Sequence, residues 1–134
     1  MRFVVRSIIL FCLLTGAVGA AQTILVLSDS LSAAYGIEKQ RGWVALLDQR
    51  LRDRHAAFRV VNASITGEAT QGGATRLPRL LEGHRPDWVI IELGGNDGLR
   101  GYPISRVRGN LERMVELALS QERHVLLVGM QIPP

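Results

Sequence analysis

Four short apolar runs punctuate the chain, and three longer stretches between them carry apolar residues at helical spacing. Thr23–Leu27 (TILVL) is rich in β-formers and reads as a buried strand. Phe58–Val61, Trp88–Leu93 (WVIIEL) and Val125–Val128 (VLLV) repeat that character. Gly42–Arg54 places Trp43, Leu46, Leu47 and Leu51 on one helical face. Gly73–Gly83 does the same with Leu77, Leu80 and Leu81, and Pro78 either kinks this helix or marks a new first turn. Ser105–Gln121 is the longest helix predicted, with Val107, Leu111, Met114, Val115 and Ala118 on one stripe.

Alternating strands and helices, with strands apolar throughout, predict an α/β fold: three layers around a flavodoxin-like parallel sheet covered on both faces. In such sheets ligands bind outside the carboxyl ends of the strands. That rule selects three loops, residues 28–40, 62–72 and 94–103, which are also dense in Ser, Gly, Asn and Asp. No repeat, low-complexity tract or linker interrupts the pattern, so one domain is expected.

Composition changes the picture mainly at the front of the chain. Arg2 and Arg6 precede an apolar stretch, Ser7–Val18, and Val18-Gly19-Ala20 is a small-residue cleavage site. Residues 1–20 therefore read as a secretory signal peptide, with cleavage after Ala21 as a close variant. Export to the periplasm or the extracellular medium follows, with no stable membrane span once the signal is removed. An uncleaved anchor is the competing reading, but the run is short against the ~20 residues a bilayer needs. Cys12 is the only cysteine and lies in that run, preceded by Phe11 where lipidation would want a small residue. The mature chain would hold no disulfide and no thiolate metal site.

Removing Arg2 and Arg6 leaves 14 basic against 12 acidic residues, a balance of +2. With no basic run and no aromatic platform, nucleic acid is not an expected partner. No His/Asp/Glu cluster has ligand spacing, so neither metal nor cofactor is implied. Neither phosphate-cradling glycine pattern occurs, which argues against a nucleotide binder.

The loops carry the chemistry. Ser30, in Ser28-Asp29-Ser30-Leu31-Ser32, follows the first strand, where a hydroxyl faces the crevice. Asp29, Ser30 and Ser32 would serve equally well as helix caps. Gly67, in the second loop, brings a backbone N–H to a ligand unobstructed by a Cβ, or simply turns the chain. Glu68 beside it has no obvious carboxylate partner for acid–base work. Gly94-Gly95-Asn96-Asp97-Gly98 would leave the Asn96 amide free to donate to an oxyanion, or form an ordinary Asn-Asp-Gly turn. Asp97 suits capping or a contact to the first loop better than a catalytic acid. Together the loops place a hydroxyl, a backbone donor and an amide donor at neighbouring strand ends, the requirements of acyl transfer.

The blocks SDSLSAAYG, NASITGEAT and ELGGNDGLRG, in this order, resemble the GDSL (SGNH) hydrolases over Thr23–Pro134. Within them the chain is similar to the bacterial periplasmic thioesterase/lysophospholipase/arylesterase group. The resemblance implies an SGNH-hydrolase domain over residues 21–134 and a serine esterase acting on small acyl esters, thioesters or lysophospholipids. It implies Ser30 as nucleophile, with the Ser30 N–H, the Gly67 N–H and the Asn96 side chain as oxyanion hole.

Two departures follow. Ser28 replaces the glycine of the motif, a change expected to be harmless. More seriously, the family's catalytic histidine and aspartate lie in a D-x-x-H block, and none occurs here; the histidines are His55, His84 and His124. The expectation is therefore an N-terminal portion lacking the C-terminal strand and helices, weakly active, with an open edge at the fourth strand. The alternative is a non-catalytic binding domain that retains the crevice.

Overall fold

The computed structural model describes residues 20–54 and 57–131. Four strands form one sheet: β1 (Gln22–Ser28), β2 (Phe58–Asn62), β3 (Trp88–Glu92) and β4 (His124–Leu127). All pairings are parallel and the order is β2-β1-β3-β4, the flavodoxin-like arrangement expected. The helices are α1 (Trp43–Asp53), α2 (Thr70–His84), α3 (Gly95–Leu99) and α4 (Ile104–Ser120), with a 3-10 turn at Lys39–Arg41.

Strand alternation sorts the core into two halves. Leu25, Leu27, Val89 and Ile91 pack with Leu77, Leu81, Met114 and Ala118 of α2 and α4. Ile24, Val26 and Ile90 face the other way, onto Val44 of α1. β1 is central, so both of its faces are covered and Leu25, Val26 and Leu27 are fully buried. Each such side chain contributes roughly 1.5–3 kcal/mol by leaving water. β4 is an outer strand, and Leu126 and Leu127 on it are half exposed. Its first residue, His124, stacks on Trp88 with ring centroids 4.3 Å apart.

Helix boundaries depart from the periodicity in two places. α2 starts at Thr70 rather than Gly73, and it runs through Pro78 as one helix with no new first turn there. Pro78 is exposed while Leu77 and Leu81 on either side of it are buried. Packing on both flanks thus offsets the lost backbone bond. α2 ends where Arg85 adopts a left-handed conformation (φ 45°) ahead of Pro86, a normal stop signal. Asp87 then accepts a hydrogen bond from the Thr23 backbone N–H at 2.7 Å, pinning the start of β3 beside β1. The second departure is α3, a five-residue helix inside the third loop.

The leader-like residues 1–19, including Cys12, and His55 lie outside the described residues. Among those described, no helix is long and apolar enough to cross a membrane.

Candidate active site

The topology decides where a ligand meets the sheet. β1 has β2 on one side and β3 on the other, so the chain direction across the sheet reverses between β1 and β3. The crevice opens at such a switch point, beyond the carboxyl ends of these two strands. Ser30 sits two residues beyond β1, and Gly94–Asn96 follow β3 closely.

Ser30 is half-buried between Asp29, which is 2% exposed, and the exposed Leu31. No helix begins at Asp29, Ser30 or Ser32, so none of them is the helix cap that their composition allows. The segment instead turns on itself. The Asp29 carbonyl accepts from the Ala33 N–H at 3.0 Å, and the Ser30 carbonyl accepts from Tyr35 at 3.3 Å. Among the described residues, no hydrogen bond engages the Ser30 hydroxyl, the Ser30 N–H or the Gly67 N–H. Gly67 holds φ at +79°, a conformation that would strain any side chain.

Asn96 joins the three loops. Its side-chain amide donates to the Asp29 carboxylate at 3.0 Å and to the Glu68 carbonyl at 3.1 Å. It is therefore braced rather than free, one residue away from both Ser30 and Gly67. The other Asp29 oxygen accepts from the Leu31 N–H at 3.1 Å. Glu68 is held by Arg76: Nε reaches Oε1 at 3.0 Å, Nη2 contacts Oε2, and Nη2 also donates to the Ala63 carbonyl at 2.9 Å. So paired, Glu68 clamps the loop that presents Gly67. Arg100 closes the far side by donating to the Gly67 carbonyl at 2.8 Å.

Two polar networks behind the site escaped the sequence pattern. Asp97 is fully buried; it accepts from the Thr70 N–H at 2.8 Å and from the Thr70 hydroxyl at 2.6 Å. Asn110 of α4 donates to that same hydroxyl oxygen at 2.9 Å. Asp97 thus caps α2 from another loop, which is why α2 starts early; it touches Thr70 and not the first loop. The visible signal was Asn110, a polar residue on an apolar helical stripe. In the second network Glu92 accepts from the hydroxyls of Ser28 (2.8 Å) and Ser32 (2.5 Å), and the Trp43 indole donates to Ser32. Ser28 is fully buried, so the residue that replaces the motif's glycine is an engaged donor. Here the signal was Glu92, a charge closing the run WVIIE.

The described histidines stand away from Ser30. His84 ends α2 and His124 opens β4, both at the amino ends of the strands. Among the described residues no group of three or more His, Cys, Asp or Glu is placed to hold a metal ion.

Two hollows flank the site. One, about 280 Å³, is apolar and is lined by Leu93, Gly94, Gly98, Tyr102, Leu111 and Met130. The other, about 370 Å³, is of mixed character and is lined by residues 32–34, Val44 and Val60 together with Lys39, Asp48, Asn62 and Ser64. The Ser64 hydroxyl is buried there without a partner.

Residues 29–134 match the family model described as GDSL-like Lipase/Acylhydrolase. The chain belongs to this family. The esterase TesA of Pseudomonas aeruginosa is 48% identical over 134 residues, all of this chain and 67% of that protein. The thioesterase 1/protease 1/lysophospholipase L1 of Escherichia coli K12 is 41% identical over 121 residues, 90% of this chain and 57% of that protein. A crystal structure of TesA superimposes with a TM-score of 0.83 at 51% identity, covering 84% of this chain and 63% of that one. The chain thus spans between about three-fifths and two-thirds of these GDSL relatives' lengths. The solved relative has the same α/β sheet, so the fold expected of the family is the fold observed.

Proposed function

We propose that this chain carries the nucleophile and oxyanion hole of a serine hydrolase for acyl esters and thioesters, lysophospholipids among them. The observation that carries the reading is the uncommitted state of three groups. The Ser30 hydroxyl, the Ser30 N–H and the Gly67 N–H lack partners at a switch point where Asn96 ties their loops together. The family relationship and the relatives' names support the same chemistry.

In this mechanism the Ser30 oxygen attacks the acyl carbon. Negative charge moves to the carbonyl oxygen, where the two backbone N–H groups receive it and Asn96 shares one of its hydrogens. Collapse expels the alcohol or thiol, which takes up a proton, and leaves an acyl-Ser30 ester; water then releases the acid. The apolar hollow beside Gly94 and Gly98 suits an acyl chain. The Ser30 proton needs an acceptor, and no described imidazole stands at this end of the sheet. Attack by a serine hydroxyl without a base to take its proton is slow. Well-studied triads without their base retain roughly 10³–10⁴-fold over water from binding and the oxyanion hole. The leader-like residues 1–20 support export to the periplasm as part of this proposal.

The test is hydrolysis of p-nitrophenyl acetate by the parent chain and by Ser30→Ala, with increasing imidazole as an external base. The parent should exceed Ser30→Ala, and the difference should grow with imidazole. Equal rates at every imidazole concentration would refute the nucleophile and favour a binding domain that uses the same crevice.

A further inference from the structure

Ser28 is the last residue of β1 and stands where the GDSL motif has glycine. The strand period of two puts it with Ile24 and Val26 on the face that α1 covers. Glu92 lies directly across from it in the parallel register and shares that face with Ile90. Trp43, the first residue of α1, joins the group from the covering helix.

One carboxylate oxygen gathers this cluster. Glu92 Oε2 accepts from the Ser28 hydroxyl at 2.8 Å and from the Ser32 hydroxyl at 2.5 Å. Ser32 in turn accepts from the Trp43 indole at 2.8 Å. Both serines are buried, at 0% and 1% exposure, so water is no alternative acceptor for either hydroxyl. The two donors lie two residues before and two residues after Ser30. Their carbonyls are held as well: Ser28 accepts from the Ile65 N–H at 3.0 Å, and Ser32 accepts from the Asn62 amide at 2.7 Å. The turn that carries Ser30 is thus fixed at both ends, onto β3 by hydroxyls and onto the Gly67 loop by carbonyls. A glycine at position 28 would keep the carbonyl contact, lose the hydroxyl one and add backbone freedom at the start of the turn.

We propose that Ser28 is a positioning residue for Ser30, acting through Glu92. It touches no reacting atom. Its hydroxyl holds the start of the turn on the same carboxylate that holds the end, which keeps the Ser30 hydroxyl and N–H in fixed relation to Gly67. The effect on rate rests on Ser30 as nucleophile; the holding of the turn does not.

The test compares the parent chain with Ser28→Ala, Ser28→Gly and Glu92→Gln in imidazole-supported hydrolysis of p-nitrophenyl acetate, with rates expressed per folded molecule. In both Ser28 variants kcat should fall roughly threefold to tenfold while KM stays within about twofold. Ser28→Ala should slow the Glu92→Gln chain less than it slows the parent, because a neutral amide oxygen grips the hydroxyl more weakly than a carboxylate does. Amide hydrogen exchange is followed separately in the Ser30→Ala background, where turnover plays no part. There Ser28→Ala should speed exchange at Leu31 and Ala33, whose N–H groups bond back to Asp29, roughly fivefold and leave residues 111–119 of α4 unchanged. A lower urea midpoint with unchanged kcat would make the role structural alone and overturn the inference. So would a change confined to KM, equal slowing by Ser28→Ala in both Glu92 backgrounds, or exchange that is unaltered at Leu31 and Ala33 or quickens along the whole chain. A parent no faster than Ser30→Ala removes the nucleophile and this inference with it. A parent that is faster, with the Ser28 variants at its rate, removes this inference alone.

Discussion

Asp97→Ala tests whether the candidate site is held from behind. The carboxylate is fully buried and is the acceptor for both the backbone N–H and the hydroxyl of Thr70, itself fully buried. Removing it orphans two donors, each costing about 1–3 kcal/mol where water cannot reach. The start of α2 also loses an anion near its positive end, about 0.3–1 kcal/mol or more when buried. Release from the cost of burying a carboxylate offsets part of this. We expect a net loss of about 3–5 kcal/mol, a large share of the ~5–15 kcal/mol that holds a domain together. With a urea slope of about 1–3 kcal/mol/M, the midpoint should fall by roughly 2 M. Asp97→Asn keeps one acceptor oxygen and should lose about half as much. Urea unfolding followed by circular dichroism measures both. A second reading comes from Thr70→Ala combined with Asp97→Ala, whose effects should fall short of additive by about 1 kcal/mol or more. A loss below ~0.5 kcal/mol for Asp97→Ala would mean that the carboxylate does not hold α2, and the reasoning would fail.

Two further substitutions probe the frame. A Cβ on Gly73 would lie 2.4 Å from a Leu93 methyl and 3.4 Å from the Met114 sulfur, so Gly73→Ala should destabilise by about 1–3 kcal/mol despite its better helix propensity; a more stable variant in the same urea assay would contradict the packing. Ser28→Ala removes one of two hydroxyl donors to Glu92 and should cost about 1 kcal/mol, whereas an unchanged midpoint would make Ser28 a passenger in the turn.

The strands and the three long helices were legible because burial imposes a period, and each period is written in neighbouring residues. The three loops were legible for the same reason, as whatever follows an apolar run. What stayed hidden depends on partners far along the chain. Gly95-Asn96-Asp97-Gly98 has the composition of a turn, yet it forms α3, with Asn96 bound to Asp29 and Glu68 and Asp97 bound to Thr70. The early start of α2 has the same origin, a cap supplied by a residue 27 positions away. Ser30 and Gly67 could be picked out from the order of the blocks. That the Asn96 amide is spoken for could not, since both of its acceptors lie in other loops. The missing D-x-x-H block is a plain property of the sequence.

The double grip of Asn96 on Asp29 and on the Glu68 carbonyl bears on how such a site can change. Loops that hang from separate strands are ordinarily exchangeable parts, each free to vary without consulting the others. Here the first, second and third loops share one amide, so none is a separate module. Replacing any one with the corresponding loop of a relative would import an acceptor or donor cut for a different neighbour. The smallest interchangeable piece of this molecule is the trio, and specificity would have to be rebuilt by moving all three together or by working outward from them.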